Sequence, residues 1–146
     1  MSNSRELVES FYKAITEGDM ELYQSIIHDN YEVSLPVKTG VLHGVYSKEK
    51  VLTEVFPLVV SKLNLENFTF CKNWKIVCAD ENCIVVICEA EGEAVNGERY
   101  DQIYAHLFSF EDNKIRKLIE FQDTALADRA LWVDTPPLEN SAPFTY

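Results

Sequence analysis

Between Phe68 and Phe121 the chain leaves helical spacing for long runs of β-branched and aromatic residues, broken only by very short connectors. Phe68 to Cys78, Cys83 to Val95, Arg99 to Phe110 and Lys114 to Phe121 each read as a strand. Ala79-Asp80-Glu81-Asn82, Asn96-Gly97 and Glu111-Asp112-Asn113 separate them. Such short connections make an antiparallel meander of long, bent strands.

The helical signal lies before this region. Ser4 can cap a helix to about Glu17, with Leu7, Phe11 and Ile15 recurring at i+4. Gly18-Asp19 breaks it, and Asp19 can cap a second helix carrying Leu22, Tyr23, Ile26 and Ile27. Tyr31 to Leu35 reads as a short strand stopped by Pro36, and Thr39 to Gly44 as a loop. Ser47 then caps a third helix through Val51, Leu52, Val55 and Phe56, which Pro57 ends or kinks. Thr124 to Leu131 is expected to form a short last helix capped by Asp123. Helices first and a meander afterwards predict an α+β fold, with N-terminal helices packed on one face of a curved antiparallel sheet. One domain over residues 1–131 is expected, followed by a Pro-rich tail over 132–146.

Composition narrows the partners. Net charge −11, with the 13 Lys and Arg scattered, speaks against nucleic acid and against anionic membranes. The N-terminal residues show no apolar signal core and no run is long enough to span a bilayer, so a cytoplasmic protein is expected. Cys71, Cys78, Cys83 and Cys88 form no C-x-x-C pair and read as reduced core thiols. His28, His43 and His106 are far apart, so neither a metal nor a cofactor is expected. The stretch Cys83 to Cys88 is apolar on both faces. One face meets the helices, and a homodimer through the outer sheet face is the simplest cover for the other.

The last hairpin carries the candidate chemistry. A plain two-residue Asp112-Asn113 loop would set His106 opposite Ile119 and turn Glu120 away. A type I turn followed by a left-handed residue gives a three-residue loop instead. That register pairs Phe110 with Lys114, His106 with Leu118 and Tyr104 with Glu120. Gln102, Tyr104, His106 and Glu120 then share one face. Polar groups clustered on an apolar sheet must bond one another or a ligand. A hydrogen-bonded core cluster is the plainer alternative to a pocket.

The order of elements, together with the segment from Gly97 to Ile115 and its continuation from Ile119 to Thr124, resembles the nuclear-transport-factor-2-like (NTF2-like) superfamily. Within it the chain is similar to SnoaL-like proteins. The shared pattern is a Tyr-containing strand, an Asp-Gly-Lys-Ile-like turn in which Asn113 replaces the usual Gly, and a closing Glu-Phe-x-Asp. The resemblance covers about Ser4 to Leu131. It implies a cone-shaped fold with a deep pocket, often dimeric, in a superfamily that includes ketosteroid isomerases, polyketide cyclases, dehydratases and epoxide hydrolases. By that resemblance the isomerase's oxyanion-hole tyrosine falls at Phe11, its base aspartate at Leu35 and its second donor at His106. Two of three groups are missing. The phenazine-biosynthesis A/B proteins fit better, their pocket glutamate and histidine matching Glu120 and His106. Arg99-Tyr100-Asp101 echoes the epoxide hydrolase's Arg-x-Asp pattern.

His106 and Glu120 are therefore the candidate catalytic pair, able to exchange one proton with a substrate near neutral pH. Tyr104 or Tyr12 would donate to a carbonyl oxygen gaining charge. Phe11, Leu35, Phe56, Trp74, Gln102 and Leu118 complete the expected ligand contacts. The pattern suits a cofactor-independent isomerase, cyclase or dehydratase acting on a small, partly apolar metabolite. A non-catalytic ligand-binding protein and a structural dimerisation module remain as alternatives.

Overall fold

The first helix ends at the expected Gly18 but starts before Ser4, which lies within it and does not cap it. In a computed structural model describing residues 2–146, α1 (Ser2–Glu17) ends where Gly18 takes φ +69°. Gly18 N–H then bonds Ile15 O, and Asp19 N–H bonds Ala14 O at 2.9 Å. Asp19 Oδ1 accepts from Leu22 N at 2.9 Å and so caps α2 (Met20–Ile26). The strand that follows, β1 (Ile27–Leu35), is longer than expected, and β2 (Gly44–Ser47) forms at the end of what reads as a loop.

Ser47 caps α3 (Lys48–Lys50), its Oγ accepting from Lys50 N. Pro57 does not end this helix. A π-type turn over Val51–Val55 leads into α4 (Phe56–Ser61), with Phe56 N–H bonded to Val51 O. Pro57 sits in the first turn of α4, where its missing N–H costs little. The wider turn keeps Val51 and Val55 buried.

The meander consists of β3 (Leu63–Ala79), β4 (Cys83–Ala94), β5 (Ile103–Glu111) and β6 (Lys114–Gln122), followed by α5 (Thr124–Ala130) capped by Asp123. The sheet order is β2-β1-β6-β5-β4-β3. All neighbours are antiparallel except β1 and β6, which run parallel. Curvature comes from irregular pairing. The register of β3 against β4 shifts at three places, Cys71 in the second of them adopting φ +52°. Gly92, at φ +149°, lies so close to Asn67 and Phe68 that no Cβ fits.

The main core joins Leu7, Val8, Phe11 and Tyr12 of α1 to Val86, Tyr104, Phe108 and Leu118 of the sheet. A second cluster holds Leu63, Tyr100, Ala127, Leu131 and Trp132. Trp132 falls inside the segment expected to be a tail, yet it is buried. Beyond it, Leu138 N bonds Val41 O and Ala142 bridges Val45, so residues 138–142 run along β2. Pro-rich composition excluded a helix here without preventing packing. Residue 1 of the expected domain lies outside the described residues. The expectation of four core thiols needs correction: Cys71 and Cys88 are buried, but Cys78 is exposed and Cys83 half-buried, because the distal end of the β3–β4 hairpin is not covered by the helices.

Candidate active site

The turn between β5 and β6 is a two-residue Asp112-Asn113 loop, with both residues left-handed at φ +49° and +58°. Two left-handed residues match the twist of the strands better than the expected three-residue loop, and Asp and Asn tolerate that conformation. The extra residue is absorbed later. Phe110 pairs with Ile115 but Ser109 pairs with Lys117, so Arg116 is a bulge in β6. The expected pairings of Phe110 with Lys114, His106 with Leu118 and Tyr104 with Glu120 are each displaced. His106 pairs with Glu120 and Tyr104 with Gln122.

His106 Nε2 lies 2.8 Å from Glu120 Oε1, and His106 Nδ1 lies 2.7 Å from the Tyr12 hydroxyl. A carboxylate only accepts, so with Glu120 ionised Nε2 carries the hydrogen and Tyr12 donates to Nδ1. Burial foremost, and then the neighbouring Cys88, pushes the Tyr12 hydroxyl upward, so it serves as a neutral donor. The imidazole is 3% exposed, and the rings of Tyr12 and Tyr104 lie near-parallel to it, with centroids 5.9 and 5.4 Å away. Glu120 Oε2 makes no hydrogen bond among the described residues, and the side chain keeps 24% of its exposure.

That carboxylate opens on a cavity of about 240 Å³. Its wall is mostly apolar, drawn from Phe11 and Ile15 of α1, Val33 and Leu35 of β1, Val51 to Val60 of the kinked helix, and Leu118. Met20, at 38% exposure, and Val60, at 43%, mark its mouth. Of the residues singled out from sequence, Phe11, Leu35, Phe56, Tyr104, His106, Leu118 and Glu120 line it. Tyr12, Trp74 and Gln102 do not. Tyr12 spends its hydroxyl on His106 and sits behind it. Trp74 is exposed and stacks on Tyr12 at 4.8 Å. Gln102 is fully buried and latches the start of α5, its amide bonding both N–H and C=O of Asp123 at 3.1 and 2.9 Å.

A second polar group on the wall was not read from the sequence. The Tyr104 hydroxyl donates to Tyr100 at 3.2 Å, and Tyr100 donates to Gln122 Oε1 at 3.2 Å. Burial pushes the Tyr100 hydroxyl up to about 12 and that of Tyr104 well above the tyrosine range. Both remain protonated. Gln122 lies two residues from Glu120 in the same strand and shares its face, a signal that was available. Trp132 also lines the cavity, and its Pro-rich neighbourhood hid it.

The Arg99-Tyr100-Asp101 echo separates into two parts. Tyr100 faces the cavity, whereas Arg99 and Asp101 form an exposed ion pair at 2.7 Å that holds the Asp101 carboxyl below the usual range. At the hairpin tip, His28, Glu111 and Asp112 bring ligand atoms within 4.8 Å of one another. His28 Nδ1 already accepts from Asn30 N at 2.9 Å, which leaves the hydrogen on Nε2, the atom facing Asp112. That tautomer opposes metal ligation through Nε2, and none of the three residues lines the cavity.

Solved structures superpose on almost the whole chain. An NTF2-like protein of unknown function from Burkholderia pseudomallei gives a TM-score of 0.76 at 18% identity, over 91% of this chain and 100% of that one. The fold is NTF2-like. Bal32a, from a soil-derived mobile gene cassette, gives 0.75 at 17% identity over 89% and 97%. TerC, co-crystallised with polyporic acid, gives 0.74 at 17% identity over 90% and 99%. No family model matches the sequence. No curated protein matches it either. In this NTF2-like chain, no described helix is long and apolar enough to cross a membrane.

Proposed function

We propose that this NTF2-like chain binds a small, partly apolar metabolite in its cavity and exchanges a proton with it through Glu120. The observation that carries the reading is the Tyr12–His106–Glu120 chain, which ends in one unbonded carboxylate oxygen on an apolar wall. Glu120 takes the proton from carbon or oxygen of the ligand. His106 holds the carboxylate in place and stabilises its charge through Nε2–H. Proton transfer of this kind underlies isomerisation, cyclisation and dehydration, and it calls for no metal or cofactor. TerC, which was crystallised with polyporic acid, is consistent with a ligand-holding interior in this fold.

The same reading takes the chain as a cytoplasmic homodimer with no nucleic-acid or membrane partner. On the outer face of the sheet Ile87, Ala105 and Phe121 stand in one row and Val85, Leu107 and Ile119 in the next. Ile103 at 60% exposure and Phe121 at 48% lie open there. A second copy would cover that apolar face.

The deciding experiment pairs Glu120→Gln with His106→Ala, after thermal-shift screening has identified a ligand. Proton exchange with the ligand is expected to fall about 10²–10⁴-fold while the dissociation constant changes little. Unchanged exchange in Glu120→Gln would end the catalytic reading and leave a binding protein.

A further inference from the structure

The cavity wall can be followed along β6. Leu118, Glu120 and Gln122 line it in turn, each about 7 Å beyond the last along the strand. Past Gln122 the chain passes into α5, and the wall resumes with Leu131 and Trp132. Tyr100 fixes where these two stand. Its hydroxyl bonds Gln122 Oε1 at 3.2 Å, and its ring belongs to the same core cluster as Leu131 and Trp132. The indole therefore closes the Gln122 end of the cavity, one strand step beyond the Glu120 carboxylate.

Trp132 is held there from both sides in sequence. Leu131 N and Trp132 N both bond Ala127 O, at 2.8 and 3.2 Å, and Trp132 O accepts from Thr135 N at 3.1 Å. The residues that follow are clamped to the loop before β2. Leu138 N bonds Val41 O at 2.8 Å, and Asn140 Nδ2 bonds His43 O at 3.1 Å. The buried Tyr46 hydroxyl joins the two segments, accepting from His43 N at 3.0 Å and donating to Leu138 O at 2.9 Å. Leu42, between the two clamped residues Val41 and His43, also lines the cavity. A ring packed and tied in this way cannot swing aside without leaving a void in the second cluster.

We infer that Trp132 sets the length of ligand the cavity admits on the α5 side of Glu120, which makes the C-terminal segment part of the binding site. The inference rests on reading the cavity as a ligand site and is independent of proton transfer at Glu120. Each methylene that a ligand buries in the cavity adds affinity, and one that would meet the fixed indole adds none.

Straight-chain primary alcohols from pentanol to decanol, titrated by calorimetry into the full chain, test the inference. Affinity for the wild-type chain should rise about three- to fourfold per methylene and then level off. Trp132→Ala should move that plateau to longer alcohols by at least about two carbons, and Trp132→Phe by about one. Leu126→Ala serves as the control, because Leu126 packs against the same cluster without lining the cavity. It should leave the plateau in place. A plateau that stays put in both Trp132 variants means that the chain end leaves by the mouth, and it overturns the inference while the cavity remains a ligand site. A plateau that Leu126→Ala moves as far as Trp132→Ala assigns the effect to loosened packing and overturns it too, as does a wild-type series that never levels off. Failure of every alcohol to bind the wild-type chain at millimolar concentration removes the ligand-site reading as well. Circular dichroism of each variant reports folding, and Trp132→Phe carries the test where Trp132→Ala does not fold.

Discussion

His106 faces Glu120 directly across the last hairpin because β6 contains one residue, Arg116, that β5 does not match. Remove that residue and every side chain from Lys117 to Gln122 changes face. Excising Arg116 should therefore abolish the His106–Glu120 bond and lower the urea midpoint steeply. Arg116→Ala, which keeps the residue count, loses half-exposed ion pairs to Glu111 and Glu32 and a hydrogen bond to the Asn30 carbonyl, and should cost about 1–2 kcal/mol. Comparable losses in the two variants would mean that the bulge does not set the site.

Tyr12 makes no contact with the cavity, yet the imidazole depends on it. Tyr12→Phe keeps the ring and its stacking on Trp74 but leaves the buried Nδ1 without a donor. The expected loss is about 1–3 kcal/mol of unfolding free energy, read from denaturant titration. A neutral result would mean that water or another group takes over the bond.

Several tyrosines are held protonated by burial, and this gives the fold an alkaline limit. Their folded values lie above the ordinary 10.0, with Tyr100 near 12 and Tyr12, Tyr23 and Tyr104 further up. Below pH 10 both folded and unfolded chains keep these protons and stability is unaffected. Above it the unfolded chain releases them first, so stability falls as pH rises from about 10 through 12. Tyrosinate absorbance and circular dichroism should change together there. Gradual ionisation with the fold intact would contradict the burial.

The architecture was legible because its signals are local. Asp19, Ser47 and Asp123 each cap the helix expected of them, and the meander's connectors sit where Gly, Asn and Asp cluster. What escaped depends on distance or on one-residue offsets. The parallel contact of β1 with β6 joins segments remote in sequence, and the π-type turn that carries the helix past Pro57 has no composition signal. The shared face of His106 and Glu120 was expected, but from a bulge in the turn; the structure puts the bulge in the strand. Trp74 and Gln102 were placed in the pocket by bulk and alternation alone. Alternation could not say that Gln102 would be drawn to Asp123 instead.

At Gly92, β4 runs close against the Asn67 and Phe68 backbone of β3. Gly92→Ala would push a methyl group into the Asn67 carbonyl and the Phe68 backbone at φ +149°, a conformation L residues rarely adopt. A loss of more than about 2 kcal/mol is expected in urea unfolding. A smaller loss would show that the bend relaxes easily.

The outer sheet face supplies the test of assembly. Phe121→Lys places a charge in the middle of the proposed dimer contact while leaving the cavity wall untouched. Sedimentation should give a dimer for the unaltered chain and a monomer for the variant. A monomer in both cases would leave the exposed Ile103 and Phe121 without that role.

The hollow lined by α1 and the kinked helix is a part of the hydrophobic centre that the chain's own side chains do not fill. Side chains from α1, β1, β3, β5, β6 and the segment around Trp132 all border that void, so each lacks neighbours that a guest would provide. A guest at a hundred times its dissociation constant would add about 2.7 kcal/mol to the unfolding free energy. A guest that binds there would complete the packing, and the chain's resistance to heat or protease should rise with its concentration.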